Sequence, residues 1–367
     1  MIAFYIDILS LYLTINYICF SNKVIIMKII YSPLEKLHHP TYEWNFGKLV
    51  KYPEKNTRAE IIKEELEKRG MGDIIIEPDD HDVSHIRDVH DDAMVDHIRS
   101  CEDLDEDEAV FPHIFPYRDF TPQFNQHPRI NLRKAGYFCF DVGIEIEKNT
   151  FKAAKAAADC ALTGADLILN KQEKQVFALC RPPGHHAGFD HFGGYCIFCN
   201  AAIAGYKLMN MGRLAILDVD FHHGNGIQDI FYEVPNVLYV SLHGDPSINY
   251  PYFSGFEDEI GAKLGLGANQ NIPLKPGTTD YEYRKYLKKA IYHIDKFKPD
   301  VLILSLGLDI YEGDDLSDIG VTSEFFKEIA VTVSRLGIPV LGLLEGGYDL
   351  DHLAINGANF IEGLAEI

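Results

Sequence analysis

Basic residues are scarce in this sequence. Its 34 lysines and arginines stand against 55 aspartates and glutamates, which gives a net charge of -21 at neutral pH. Binding of nucleic acid requires a clustered cationic surface that neutralises phosphates, so this balance argues against a nucleic-acid partner. It favours a small cationic substrate, because an acidic protein concentrates cations near its surface.

Cysteine is also scarce, and its spacing excludes two common uses. The chain of 367 residues has seven cysteines, an odd number spread along its length. Only Cys196 and Cys199 form a Cys-x-x-Cys pair, and no second pair stands at the spacing of a zinc ribbon. We therefore expect reduced thiols in a cytoplasmic protein, with Cys196 and Cys199 in packing roles.

Long apolar runs are confined to the first 26 residues, MIAFYIDILSLYLTINYICFSNKVII. This segment has no basic start and no clear cleavage site, and Asp7 and Asn16 interrupt it. A membrane anchor and an upstream start codon both stay open. We favour the start codon and no membrane partner, because Met27 opens KIIYSP, a short β-like run before a turn proline. With no repeat or linker beyond it, we expect one domain over residues 27–367.

Several common catalytic templates are absent. The chain has no G-x-S-x-G nucleophile elbow and no G-x-x-x-x-G-K-[ST] phosphate loop. The glycine-rich stretch GAKLGLGANQ at 261–270 neither follows a strand nor completes the dinucleotide pattern G-x-G-x-x-G. These absences argue against serine-hydrolase, nucleoside-triphosphate and dinucleotide chemistry.

What the chain does contain is a series of short, continuous apolar runs. We interpret them as buried parallel strands, because both faces of such a sheet carry helices. The runs are VFALC (176–180), LAILDVD (214–220), VLYVSLH (237–243), VLILSLGLD (301–309) and VLGLLEGG (340–347). Helix-like stretches alternate with them, at 151–162, 281–297 and 323–337. The sequence therefore predicts a single α/β domain with a mainly parallel central sheet and helices on both faces.

Polar residues follow these runs at their carboxyl ends, where ligands bind in open parallel sheets. Asp220 and His222 follow the second run, and Asp309 follows the fourth. Two carboxylates and an imidazole give three protein ligands and leave one coordination position open, which is typical of a catalytic zinc site. Fe(II), Co(II) and Mn(II) also suit this set of ligands.

RPPGHHAG at 181–188 places two adjacent histidines in a stiff turn at the first strand end. Because other strands supply the metal ligands, we expect His185 and His186 to act as acid and base on a water molecule. Asp218 and Asn225 are the candidates to orient their rings. Tyr348, in EGGYDL, is a candidate donor to a developing oxyanion.

The motifs RPPGHHAG, GGYC, DVDFHHGNG, VSLHGDP, SLGLD and EGGY occur in this order. From about Met27 to the C-terminus the chain thereby resembles the arginase-deacetylase superfamily. It is most similar there to acetylpolyamine amidohydrolases and class II histone deacetylases. The resemblance implies a hydrolase that removes acetyl groups from amines with one zinc ion held by Asp220, His222 and Asp309. In this pattern His186 is the general base and acid, with His185 as its electrostatic partner.

The resemblance also implies a narrow acyl channel. Tyr195 and Phe253 match its aromatic walls, Gly194 matches the group that accepts the substrate amide, and the stretch near 101–130 matches the loop that narrows the channel in homodimeric relatives. Leu316 stands where dedicated polyamine deacetylases of the histone-deacetylase type carry a gatekeeping glutamate. The implied site for structural potassium consists of Asp218, Asp220, His222, Ser241 and Leu242.

Four functions follow as alternatives, with acetylpolyamine deacetylation first. Leu316 stands in place of the gatekeeping glutamate, and the stretch 130–138 is not acidic, so a protein lysine deacetylase acting on acetyl-lysine is the second; Asp315 in the proline position is a further departure from the family pattern. A ureohydrolase with two manganese ions is third; the absence of a second carboxylate two residues after Asp309 argues against it. A non-catalytic module that binds acetylated ligands is fourth; the presence of every catalytic position of the pattern argues against it.

Overall fold

The computed structural model of the protein describes residues 27–106, 108–116 and 131–366. The apolar segment 1–26 lies outside the described residues, as does the part of the candidate channel loop from 117 to 130. The assignment of 1–26 to an upstream start therefore stays a prediction.

The described residues form twelve strands and ten α-helices. The strands are β1 (Lys28–Ile30), β2 (Tyr42–Asn45), β3 (Lys48–Lys51), β4 (Ile75–Ile76), β5 (Ala109–Val110), β6 (Ile146–Glu147), β7 (Gln175–Ala178), β8 (Leu214–Asp218), β9 (Val237–Gly244), β10 (Asn269–Leu274), β11 (Val301–Leu306) and β12 (Val340–Leu344). The helices are α1 (Arg58–Lys68), α2 (Ser84–Arg87), α3 (Asp92–Arg99), α4 (Ala135–Phe138), α5 (Thr150–Leu169), α6 (Asn200–Leu208), α7 (Asn225–Phe231), α8 (Asp280–Phe297), α9 (Phe325–Ser334) and α10 (Leu350–Ala365).

Eight strands form one parallel sheet in the order β10-β9-β8-β11-β12-β7-β1-β4. The other described strands form two small antiparallel pairs, β2 with β3 and β5 with β6. The predicted α/β class with a mainly parallel central sheet is therefore confirmed. The five predicted runs correspond to β7, β8, β9, β11 and β12. These strands are consecutive in the sheet, in the order β9-β8-β11-β12-β7.

Both faces of the sheet are buried. Along β8, Ile216 packs into one hydrophobic cluster, with residues of α5 and α6, while Leu217 packs into a second cluster, with residues of α8 and α9. Successive side chains of a strand point to opposite faces, so a continuous apolar run covers both. This arrangement explains why the strands read as unbroken apolar segments, and it confirms helices on both faces.

The sheet order brings four strand ends together. β8, β11, β12 and β7 are consecutive neighbours in the middle of the sheet, and all run in the same direction. Four predicted strands end earlier than expected, at Ala178, Asp218, Leu306 and Leu344, because the chain leaves the ladder there to form loops. These loops carry the polar residues predicted to form the site.

Two smaller observations concern the rest of the chain. Cys196 and Cys199 are fully buried with free thiols, as predicted for packing residues. Within the described ranges, no helix combines the length and the hydropathy needed to cross a bilayer.

Candidate active site

The three predicted metal ligands converge at the carboxyl ends of β8 and β11. His222 Nδ1 lies 3.3 Å from Asp220 Oδ1 and 3.1 Å from Asp309 Oδ2. One donor atom from each residue falls within 4.8 Å of the others. Three donors this close can hold a single ion, as a mononuclear transition-metal site requires.

Glycine makes room for these carboxylates. A Cβ atom at Gly346, just after β12, would stand 2.5 Å from Asp220 Oδ2 and 2.7 Å from Asp309 Oδ2. The Gly346 backbone N–H instead donates to Asp220 Oδ2 at 2.8 Å. The glycine of EGGY thus allows the last strand end to approach the ligands closely, and any larger residue there would displace them.

Burial sets the charge balance of the ligands. Asp220 and Asp309 are both fully buried, and burial together with the charge of Asp220 raises the pKa of Asp309 to about 7. Burial alone would lower the pKa of His222, but its hydrogen bonds to both carboxylates raise it to about 9. Two carboxylates forced together in this way attract a cation.

The two adjacent histidines have different partners. His185 Nδ1 lies 3.2 Å from Asp218 Oδ2, whereas His186 Nδ1 lies 2.7 Å from Asn225 Oδ1. The ring centroids are 4.0 Å apart. Since each Nδ1 faces an oxygen that only accepts hydrogen bonds, each carries a proton, and the Nε2 atoms are left for chemistry.

These partners separate the pKa values of the pair. Burial opposes a charge on His185, but Asp220 and Asp218 raise its pKa to about 10. Burial, and then repulsion from His185 and His222, holds the pKa of His186 well below its usual range. At neutral pH His185 is therefore cationic and His186 neutral; their roles as charged neighbour and proton carrier stay predictions.

Tyr348 follows β12 and lines the same cavity as His186. Its backbone N–H donates to Asp314 Oδ2 at 2.6 Å, and the Arg58 guanidinium lies 5.2 Å from its ring centroid. Burial, and then the charges of Asp220 and Asp309, raise the pKa of its phenol well above the ordinary value. The phenol is consequently protonated and able to donate.

A cavity of about 550 Å³ opens over this site and reaches His186, His222 and Tyr348. All four predicted channel residues line it: Gly194, Tyr195, Phe253 and Leu316. Tyr195 lies inside, with its ring 5.6 Å from that of Tyr348. The Phe253 side chain is 94% exposed, which places it at the mouth.

Three cavity residues were missed in the sequence. Tyr250 packs edge-on against His186, with ring centroids 5.1 Å apart, and donates to Asp141 Oδ2 at 2.7 Å. Asp141 also accepts the Gly194 N–H at 2.8 Å, so it binds two residues of the cavity wall, Gly194 and Tyr250. Glu43, on β2, receives a hydrogen bond from Tyr195. Glu43 and Asp141 do not follow a strand of the main sheet, and Tyr250 lies well beyond the end of β9 in a long loop, so the strand-end rule could not find them.

A buried ionic network connects the RPPGHHAG turn to the EGGY segment. Glu54 accepts from Arg58 Nη1 at 2.8 Å and from Arg181 Nη2 at 2.7 Å, and all three side chains are fully buried. Arg181 belongs to RPPGHHAG, while Arg58 donates to the backbone carbonyls of the EGGY segment. The spacing of four between Glu54 and Arg58 was the available sequence signal.

The residues expected around potassium include two of the metal ligands, Asp220 and His222. Asp218 on β8 pairs with Ser241 on β9. Asp218, Asp220, Ser241 and Leu242 are fully buried, and His222 is partly buried. The sheet register therefore places Asp218 beside Ser241, and the potassium site stays a prediction.

The histone deacetylase domain model matches residues 52–364. That range covers the metal ligands, both histidines and Tyr348. The chain belongs to the histone deacetylase domain family.

The relatives found by comparison include acetylpolyamine amidohydrolases. Acetylpolyamine amidohydrolase 2 of Pseudomonas aeruginosa is 37% identical over 92% of this chain and 98% of its own length. The acetylpolyamine amidohydrolase of Mycoplana ramosa is 37% identical, over 92% of this chain and all of its own. The crystal structure of acetylpolyamine aminohydrolase from Burkholderia pseudomallei superposes with a TM-score of 0.86 at 34% identity, covering 93% of this chain and 99% of that one. The fold is therefore that of the arginase-deacetylase group.

Proposed function

We propose that this protein is a zinc-dependent deacetylase that hydrolyses acetylated amines, acetylpolyamines first among them. The observation that carries the proposal is a cavity lined by a metal donor (His222), a neutral imidazole (His186) and a protonated phenol (Tyr348), with the other two metal donors and the cationic His185 buried beside them. The similarity to acetylpolyamine amidohydrolases over nearly the whole chain supports the choice of substrate.

The donor set fits one divalent ion. Asp220, His222 and Asp309 would hold it, and the mutual repulsion of the two buried carboxylates would be relieved by its charge. Zinc is the proposed ion, with Fe(II), Co(II) and Mn(II) as substitutes that suit the same ligands. When bound, such an ion polarises the acetyl carbonyl and lowers the pKa of the attacking water.

His186 moves the proton in this mechanism. Its neutral Nε2 accepts a proton from the attacking water, while the Asn225 carbonyl holds the protonated Nδ1 in place. The same Nε2 then returns the proton to the amine nitrogen as the C–N bond breaks, giving acetic acid and the free amine; the acid passes its remaining proton to the amine, so the products leave as acetate and an ammonium ion. His185 stays cationic through its contact with Asp218, which keeps His186 a weak enough base to release the proton.

Tyr348 stabilises the developing oxyanion. Its phenol remains protonated at neutral pH and donates to the former carbonyl oxygen. Gly194, held by Asp141, is positioned to accept the N–H of the substrate amide through its carbonyl.

Charge in the cavity wall supports a cationic substrate. Glu43 and Asp315 both line the cavity, and the whole chain is acidic. Asp315 is exposed at the position where the family pattern has proline. A distal ammonium group of an acetylated diamine would meet these carboxylates, whereas an acetylated neutral amine would not.

Three further parts of the proposal concern assembly. We propose that Asp218, Asp220, His222, Ser241 and Leu242 hold a structural potassium ion. We also propose a homodimer in the cytoplasm. Light scattering of the purified protein tests the dimer, and the dependence of thermal unfolding on potassium against sodium tests the ion.

A substrate panel tests the function. Rates on acetylputrescine, acetylspermidine and an acetyl-lysine peptide are compared for the zinc-loaded protein. We expect the highest kcat/KM on an acetylated polyamine. A peptide preferred by orders of magnitude would assign the protein to lysine deacetylation instead.

Metal analysis tests the two remaining alternatives. We expect one catalytic divalent ion per chain, and two manganese ions with activity on guanidino substrates would indicate a ureohydrolase. Zinc-loaded protein that binds acetylated amines without turnover would be a non-catalytic module.

A further inference from the structure

Glu345, which follows β12 directly, joins two parts of the site. Its side chain is fully buried, and its Oε2 accepts the Gly184 N–H at 2.7 Å and the His185 N–H at 3.1 Å. These two amides belong to the turn that carries the histidine pair. A carboxylate that follows β12 thus binds the backbone of the turn that follows β7.

The surroundings of Glu345 could also suggest a second metal site. Donor atoms of His185, Cys196 and Glu345 lie within 4.8 Å of one another. However, His185 Nδ1 bonds Asp218, and its Nε2 lies 3.7 Å from Asp220. Burial, and then repulsion from Glu345, keep the Cys196 thiol protonated by raising its pKa. A cationic His185 and a protonated Cys196 are poor metal ligands, so we assign no metal to these residues.

The backbone at Glu345 is fixed on its other side. Arg58 Nη2 donates to the Glu345 carbonyl at 2.6 Å, and Arg58 Nε donates to the Gly347 carbonyl at 2.6 Å. The segment that leads to Tyr348 is therefore anchored on both sides of Gly346. Arg58 therefore holds the backbone of both Glu345 and the segment leading to Tyr348. Because Glu345 also binds the histidine turn, the position of that turn is set relative to Tyr348.

We propose that Glu345 is a positioning residue that holds the Gly184–His186 turn at a set distance from Tyr348. The proton carrier and the oxyanion donor must face one reacting group, and a misplacement of about 1 Å costs on the order of 100-fold in rate. Glu345 is not among the residues that line the cavity, so it acts through the turn and not on substrate. This inference rests on the proposed function.

A matched pair of variants separates hydrogen bonding from packing. Glu345→Gln keeps an oxygen that can accept both amides, whereas Glu345→Met has similar length and no acceptor. We expect kcat on acetylputrescine to fall about 10- to 100-fold in E345M with KM within about twofold of wild type. E345Q is expected to recover most of the turnover. Should E345M fail to fold, Glu345→Ala replaces it, with the same expected loss.

Glu35 provides the control for burial of a glutamate. It is also fully buried, and its carboxyl oxygens have no hydrogen-bond partner within the described part of the chain. Glu35→Met makes the same chemical change without removing a bond to the turn, so kcat should stay close to wild type. An equal loss of kcat in E35M and E345M, or in E345Q and E345M, would overturn the positioning role.

Hydrogen exchange gives a readout that does not depend on activity. The Gly184 and His185 amides should exchange faster in E345M than in wild type, and E345Q should retain their protection. Unchanged protection in E345M overturns the inference. Wild-type protein that deacetylates no amine, together with faster exchange in E345M, refutes the proposed function and supports the contact.

Discussion

Tyr348 and His186 are the side chains on which the proposed chemistry depends most directly. Tyr348→Phe removes only the phenolic hydroxyl group that is proposed to donate to the oxyanion. We expect kcat to fall about 100- to 1,000-fold. His186→Ala removes the proton carrier and should lose most turnover. Both variants should fold and bind one zinc ion, which thermal unfolding and metal analysis check.

Tyr292→Phe is the control for the tyrosine change. Tyr292 is 62% exposed on α8, so its hydroxyl is not required by the site. Turnover in this variant should match wild type. Near-wild-type kcat in Y348F or H186A would contradict the mechanism.

Glu43 links substrate binding to pH. Burial raises its pKa to about 7, so the side chain is neutral below pH 7 and charged above it. KM for acetylputrescine should therefore decrease as pH rises through 7. In Glu43→Gln this dependence should vanish, and KM above pH 7 should rise about tenfold, which corresponds to about 1.4 kcal/mol.

An uncharged substrate provides the comparison for Glu43. N-acetylbutylamine has no distal ammonium group, so its KM should be similar for wild type and E43Q at pH 8. If E43Q raises KM equally for both substrates, the carboxylate does not act through the charge of the substrate.

At the scale of single residues, the sequence predicted those that stand close behind the central strands and missed those that do not. Asp220, His222 and Asp309 could be brought together because parallel strand ends share an edge. Glu43 lies on β2 of a separate hairpin, and Asp141 lies in a loop after α4. Nothing in their local sequence determines where the hairpin and the loop dock.

Among the elements, the connection between α1 and the RPPGHHAG turn has a measurable energy. Glu54→Ala leaves Arg58 and Arg181 buried without their carboxylate, and a broken buried ion pair typically costs about 3 to 5 kcal/mol. Urea unfolding of the metal-loaded protein should show a loss of this size.

The Lys63–Glu67 pair is the matched control on the same helix. It has the same spacing of four, but Glu67 is 45% exposed. Glu67→Ala should change the free energy of unfolding by less than about 1 kcal/mol. A loss in E54A no larger than in E67A would show that the buried network contributes little.

Element prediction succeeded in the middle of the sheet and failed at its edges. β8 and β11 are fully buried and read as unbroken apolar runs. β10 is an edge strand with the mixed sequence NQNIPL, and its proline is tolerated because one side needs no partner. β4 has only two residues. β10 is mixed in sequence and β4 is too short, so the pattern that identifies central strands applies to neither.

For the whole molecule, metal binding should contribute to stability. The donors come from two strand ends, and unfolding separates them. A metal at 100 times its Kd stabilises the folded state by about 2.7 kcal/mol, so chelation should lower the free energy of unfolding by this order. Urea unfolding with and without a chelator measures the change.

Asp309→Ala distinguishes site-specific stabilisation from a general effect of the chelator. This variant lacks one of the three donors, so chelation should leave its free energy of unfolding nearly unchanged. Equal destabilisation of wild type and D309A would show that the stabilising metal lies elsewhere.

The order of strands in the sheet also governs when the site can exist during synthesis. The turn with His185 and His186 leaves the ribosome first, Asp220 and His222 follow, and Asp309 completes the donor set much later. β12 then inserts between β7 and β11, which were made before it. A nascent chain could therefore capture a metal before it possesses an oxyanion donor, and hydrolysis becomes possible only after the last strand has been added to the centre of the sheet.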